Sequence, residues 1–237
     1  MLILTQHGAF PLSAVLTAIA ADRSKAISDK ISQAFAYATS SFRENLGWEA
    51  IVHPTENLLL VNIPTSSEQT AVQYVMNTIT KRWCKFSGWD AICWDFFNGQ
   101  LYFGGDGYVA KALVGTTDFG RNITFRVMQA YNYFSHRGKQ KHFKLVRPIL
   151  NTGSLVSPSI GASTDYSERE NYSSAALLPS IYGVWDSDKW DSGLWGIGGQ
   201  TQTSWQSLAV PEGYAIAFRM QIESTVAEVS WASTDYV

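Results

Sequence analysis

The chain has 237 residues, of which 46% are hydrophobic, 14% aromatic and only 16% charged, a balance that excludes intrinsic disorder and supplies a large core. Its formal net charge of −2 excludes the overall positive excess of a protein that coats nucleic acid, and leaves room only for local basic patches. The two cysteines, Cys84 and Cys93, have no companion Cys or His at ligand spacing, which excludes a disulfide framework and a zinc site.

Residues 2–5 and 9–12 read as two strands turning at Gln6-His7-Gly8. The apolar N-terminal stretches are interrupted by that turn and by Pro11 and lack a basic flank, so no signal peptide is expected. No apolar run is long enough to suggest a membrane span. Ile27, Ile31, Phe35, Ala38 and Phe42 then recur at helical steps, predicting one amphipathic helix over 23–45. Asp22 or Ser24 is its expected cap and Gly47 its expected stop.

From Trp48 the pattern becomes β-rich, with a nearly continuous apolar run at 58–63, a polar loop at 65–69 and a strand resuming at 73–77. Residues 83–113 are dense in aromatics and turn signals. Strands are predicted at 91–97, 100–103 and 108–114, joined at Asn98-Gly99 and at Gly104-Gly105-Asp106-Gly107. Both central residues of a type I′ turn need φ > 0, which Asn and Gly bear cheaply. This block reads as one propeller-blade meander, with Cys84 and Cys93 as reduced thiols buried in neighbouring strands.

Residues 122–134 and 141–150 read as a long hairpin around the loop 135–140. A polar tract from 151 to 174 marks a change of composition, so the expected division is a blade-like region over 1–150 and a β-rich C-terminal module over 151–237. Trp185, Trp190 and Trp195 are spaced five apart, matching neither helix nor strand period, and suggest short strands or turns. Two strands, 214–222 and 226–231, close the chain across Glu223-Ser224-Thr225. The expected fold is mainly β, with antiparallel meanders and one helix.

No Gly-x-Ser-x-Gly or His-Glu-x-x-His motif is present, and His7, His53, His136 and His142 lie far apart. Asp90, Asp95, Asp106, Asp186 and Asp191 sit beside aromatics, as glycosidase carboxylates can, but Asp in such places also serves turn chemistry. Gly104-Gly105-Asp106-Gly107 lacks the Lys-Ser/Thr pair of a phosphate loop. No catalytic residue, metal site or cofactor is expected.

The candidate contact residues are basic. Arg137, Lys139, Lys141, Lys144 and Arg147 cluster in one hairpin, where they can meet DNA phosphates, acidic groups of a neighbouring subunit, or only water. Trp185, Trp190 and Trp195, within a tryptophan-rich stretch reaching Trp205, form a candidate interface or glycan-stacking platform.

Several blocks occur in a familiar order: Leu58-Leu59-Leu60-Val61-Asn62-Ile63-Pro64, Gln73-Tyr74-Val75-Met76-Asn77-Thr78, Trp83-Cys84-Lys85-Phe86, Gly88-Trp89-Asp90-Ala91 and Leu101-Tyr102-Phe103-Gly104. With Lys144-Leu145-Val146-Arg147-Pro148 and the Trp185 to Trp195 segment, the series resembles tail-tube, nozzle and packaged-DNA-stabilising proteins of short-tailed bacteriophages. The resemblance is best over 56–150, and the chain looks like the C-terminal part of longer family members.

The resemblance implies a non-enzymatic, β-propeller-containing subunit of the virion tail or head-to-tail connector, made in the host bacterial cytoplasm. Its implied partners are copies of itself in a roughly six-fold ring and neighbouring tail or portal proteins, with DNA as a candidate contact. Because blades missing from the chain would leave strand edges open, closure by another chain is expected. The alternative from a different class is a carbohydrate-binding or depolymerising surface protein.

Overall fold

The structure is a computed structural model that describes residues 2–5, 8–17, 26–65, 70–153, 156–167, 172–175, 178–179, 200–224 and 228–237. It is mainly β, with antiparallel sheets, and divides into two compact units, Met1–Val114 and Gly115–Val237. The division expected at residue 150 instead falls inside a continuous strand, Leu145–Thr152. Among the described residues no helix is long and apolar enough to cross a membrane.

The first unit begins with the hairpin β1 (Leu2–Thr5) and β2 (Gly8–Pro11), followed by a short helix α1 (Leu12–Thr17) and then α2 (Ser32–Phe42). The amphipathic helix is therefore shorter than 23–45. At its start, Ile27 N–H is drawn to the Ala9 carbonyl of β2 at 2.9 Å, and Asp29–Ile31 form a single 3-10 turn. At its end, the Phe42 carbonyl accepts both Asn45 N–H and the Trp48 indole N–H, so the helix stops five residues before Gly47. The expected stripe holds: Phe35 and Ala38 are buried, and Ile27, Ile31 and Phe42 pack on the same cluster.

Strands β3 (Glu49–His53), β4 (Leu58–Pro64), β5 (Ala71–Asn77) and β6 (Trp83–Ser87) form a four-stranded meander. A second meander has three strands, β7 (Cys93–Phe97), β8 (Gln100–Gly105) and β9 (Tyr108–Lys111). The continuous apolar run of β4 has a simple cause. Leu59, Val61 and Ile63 face α2, while Leu60 on the opposite face packs with Trp94, Leu101 and Phe103 of the second meander. A strand covered on both faces loses the polar half of its alternation.

The exception within β4 is Asn62, which is 1% exposed. Its amide N–H2 donates to the Gly47 and Ala91 carbonyls, each at 2.8 Å, and its Oδ1 accepts from Gln73 Nε2 on β5 at 2.8 Å. Gln73 also donates to the Trp89 carbonyl at 2.9 Å. This buried pair replaces water for the loop leading into β7.

The block at 83–113 does not form a single blade: β6 completes the first meander, and β7 opens the second. The Asn98-Gly99 turn is as expected, with φ of 51° and 73°. The cysteines are not buried neighbours. Cys84 on β6 and Cys93 on β7 are free and exposed, because each lies on the outermost strand of a different sheet. The Cys84 sulfur still sits 3.5 Å from the Val75 carbonyl, and partial burial pushes its thiol up. The sheets are open, and no ring of blades is present among the described residues.

The second unit contains β10 (Ile123–Met128), β11 (Leu145–Thr152), β12 (Ser159–Thr164), β13 (Ser173–Ser174), β14 (Leu178–Pro179), β15 (Gln200–Thr203), β16 (Gln206–Ser207), β17 (Ile216–Ser224) and β18 (Val229–Tyr236). One sheet has the order β10-β17-β12-β13; in the other, β15, β16 and β18 all pair with β11. Ile216, Phe218, Met220 and Ile222 alternate along β17 and share one core with Val146 and Leu150 of β11 and Ile160 of β12.

The expected hairpin of 122–134 with 141–150 is absent. β10 pairs with β17, and β11 pairs with β15, β16 and β18. Nor are β17 and β18 hairpin partners, although both strands exist close to their predicted positions; they belong to different sheets. Pro148 pairs with Thr234 of β18 on one side, and on the other it lies where the partner changes from β16, at Val146, to β15, at Ile149, a break in the ladder that suits a residue without an N–H.

Candidate functional site

The basic segment is an irregular, clamped loop followed by the start of β11. Lys141 is not a free cation. Its ammonium donates to the His136, Lys139 and Tyr214 carbonyls at 2.6, 3.0 and 3.0 Å, and its backbone forms a two-way bridge with Gly213. Lys141 therefore staples the loop from which Arg137 and Lys139 project, both exposed and neither ion-paired among the described residues. Lys144 is exposed at the entry to β11, where its backbone N–H bonds the Val237 carbonyl.

Arg147 is committed elsewhere. Its guanidinium forms a two-pronged ion pair with Asp235 of β18, with Nε 2.9 Å from Oδ2, and lies 4.9 Å from the centre of the Trp205 ring. The sequence cluster thus separates into two exposed cations on a loop, one structural staple, one surface lysine and one internal ion pair.

Three tyrosines complete the loop's surroundings. Tyr131 and Tyr166 are close to stacked, with ring centres 4.1 Å apart and planes tilted by 33°, and Tyr131 Oη bonds the Ser167 carbonyl. The Tyr133 and Tyr166 hydroxyls lie 3.3 Å apart, and the Arg137 guanidinium sits 5.2 Å over the Tyr133 ring. The hydroxyl bond to Tyr166 pushes the Tyr133 phenol up from its ordinary value. Tyr166 is 62% exposed.

The backbone around these rings is strained. Phe134, Ser135, Asp165 and Tyr166 have φ of 44°, 68°, 51° and 61°, a region that costs side-chain-bearing residues about 1–3 kcal/mol each. Local bonds hold it. Asp165 Oδ1 accepts from the N–H groups of Tyr214 and Ala215 at 2.9 and 3.0 Å, and Asn132 Oδ1 accepts from Phe134 N–H at 2.8 Å. Gly213 passes so close beneath Asp165 that a Cβ there would meet Oδ2 at 2.9 Å. The tyrosines were absent from the sequence-based candidates, although the i, i+2 spacing of Tyr131 and Tyr133 was a legible sign that they share a face.

A cleft of about 540 Å³ lies nearby, walled by Phe134, Phe143 and Tyr236 and bordered by Lys141, His142 and Asp235. Its polar groups are engaged: Lys141 and Asp235 as described, and His142 Nδ1 at 3.3 Å from Glu212. Burial pushes the Tyr236 phenol up, and its hydroxyl donates to Gln129.

The remaining candidates divide simply. Trp185, Trp190 and Trp195 lie outside the described residues, as do His7, Asp186 and Asp191. Asp90 and Asp95 accept backbone N–H bonds from Ala71 and Phe96. His53 is buried edge-on against Phe96, and His136 is exposed. Among the described residues no three His, Cys, Asp or Glu side chains converge as metal ligands. No protein-family model and no curated protein matches the chain.

Proposed function

We propose that the chain is a non-enzymatic structural subunit of a bacteriophage virion, part of the tail or the head-to-tail connector, and that it assembles with copies of itself into a ring around the DNA path. The observation that carries the assembly is β10. Among the described residues it is the edge strand of its sheet, and Ile123, Phe125 and Met128 are each more than two-fifths exposed, with the exposed Arg126 as the strand's one charged residue. A strand with an open backbone edge and exposed apolar side chains is a template for another chain, and here one arginine is the only charge set against such pairing. The virion setting comes from the resemblance of the ordered sequence blocks, and the mainly β architecture agrees with it.

In this reading the meander β3–β6 acts as a blade, and other chains close the ring. Light scattering on the purified protein tests the assembly: a discrete oligomer is expected, and Phe125→Lys combined with Ile123→Lys dissociates it. A strict monomer at all concentrations, together with absence of the protein from purified phage particles, overturns the proposal.

A further inference from the structure

We infer that the tyrosine cluster of the second unit, Tyr131, Tyr133 and Tyr166 with Arg137 and Lys139, is a stacking platform for single-stranded nucleic acid. The inference goes beyond the structural role and needs only the surface of this one unit.

The rings are already organised for a planar ligand. Tyr131 backs Tyr166 at 4.1 Å, and the Tyr133 hydroxyl holds the Tyr166 hydroxyl at 3.3 Å, so the mostly exposed Tyr166 ring has its position set before any ligand arrives. Large aromatic rings held in place offer contact area at little entropic cost, which favours binding over collapse into the core. Four left-handed residues lie in the two loops that carry the rings, and the Asn132, Asp165 and Lys141 bonds tie these loops to themselves and to the segment entering β17. Strain retained at a surface and held by dedicated bonds is characteristic of ligand clamps.

The charge selects the ligand class. Arg137 lies 5.2 Å over the Tyr133 ring, a cation–π contact that does not consume its N–H donors, and Lys139 extends from the same stapled loop. Both carry positive charge with no ion-pair partner among the described residues, and they outweigh the one carboxylate beside the rings, Asp165, whose Oδ1 accepts two backbone N–H bonds and whose charge is felt at Tyr133. A neutral sugar would use the rings and leave these cations unmatched. A polyanion whose units each bear a flat ring matches both. In a duplex the ring faces are hidden by stacking, so the matching form is a single strand, with bases on the tyrosines and phosphates on Arg137 and Lys139.

The test is fluorescence anisotropy of a labelled oligothymidylate of about 20 nucleotides at low salt, with unlabelled duplex and neutral oligosaccharides as competitors. The wild-type protein is expected to bind the single strand in preference to both competitors. Tyr166→Asn, which suits the left-handed backbone, is expected to weaken binding about ten-fold with an unchanged circular dichroism spectrum. Tyr166→Phe is expected to keep most of the affinity, and Arg137→Gln to reduce the slope of log K against log salt by roughly 0.7.

Failure to bind at low salt overturns the inference. So does equal affinity of wild type and Tyr166→Asn, which would reduce the surface to unspecific charge, and so does tighter binding of duplex. Tyr166-dependent binding of an oligosaccharide without binding of the oligonucleotide also overturns it, in favour of a glycan site. A monomer that binds the oligonucleotide would sink the assembly proposed above and leave this inference standing; an oligomer that ignores it would do the reverse.

Discussion

The two units use the same strand chemistry but differ in how far along the chain each strand finds its partner. In Met1–Val114 neighbours in sequence are neighbours in space: β3 to β6 and β7 to β9 each follow one another across their sheets. In Gly115–Val237 the longest pairings join distant segments, β10 with β17 and β11 with β18, so that Arg147 meets Asp235 across 88 positions; a side-chain bond between the sheets joins Gln129 to Tyr236 across 107. Sequential meanders are specified by the turns between them. Non-local sheets are specified by which buried faces fit together, and their loops must close before any contact compensates the lost entropy.

The largest test of this contrast is the second unit's core. Phe218→Ala removes a fully buried ring and is expected to cost about 3–5 kcal/mol. Hydrogen exchange should then rise across β10, β12 and β17 while β3 to β6 keep their protection; an equal loss in both units would show that they do not carry separate cores. The matching lesion in the first unit is Asn62→Ala. It strands the Gly47 and Ala91 carbonyls and a Gln73 donor, and is expected to cost about 3 kcal/mol by denaturant unfolding.

A pH titration sharpens the contrast further. Burial raises the folded-state affinity of Tyr236 for its proton, so folding is favoured while the phenol is protonated, and stability is fully present below the ordinary tyrosine range near 10. It is expected to fall as pH rises above that value, with protection lost first around β11 and β18. Tyr236→Phe should flatten that fall.

The smallest effect is the Arg147–Asp235 pair. Both side chains are about two-fifths exposed, so a double-mutant cycle should give a coupling of only about 0.2–1 kcal/mol that shrinks in salt. A much larger coupling would mean that this long-range ion pair, more than the shared core, sets the β11–β18 register.

Much of the first unit could be read from residues alone. The stripe Phe35, Ala38 and Phe42 identified α2, and Asn98-Gly99 identified its turn, because helix periodicity and left-handed turn residues are local signals. The limits of α2 were misplaced because its ends are set by contacts outside it, the Ala9 carbonyl and the Trp48 indole. In the second unit the alternation of Ile216, Phe218, Met220 and Ile222 marked a strand but carried no address for its neighbours. The hairpin expected between 122–134 and 141–150 failed for that reason.

The candidate site followed the same division. The sequence identified a local concentration of positive charge at Arg137, Lys139, Lys141, Lys144 and Arg147, since charge is a property of composition. It could not distinguish a staple from a free cation. Only the tertiary structure placed three carbonyls around Lys141 and Asp235 beside Arg147, leaving Arg137 and Lys139 exposed next to the tyrosines. What a residue is follows from the chain; what it is free to bind depends on which groups, often dozens of positions away, have already taken its hydrogen bonds.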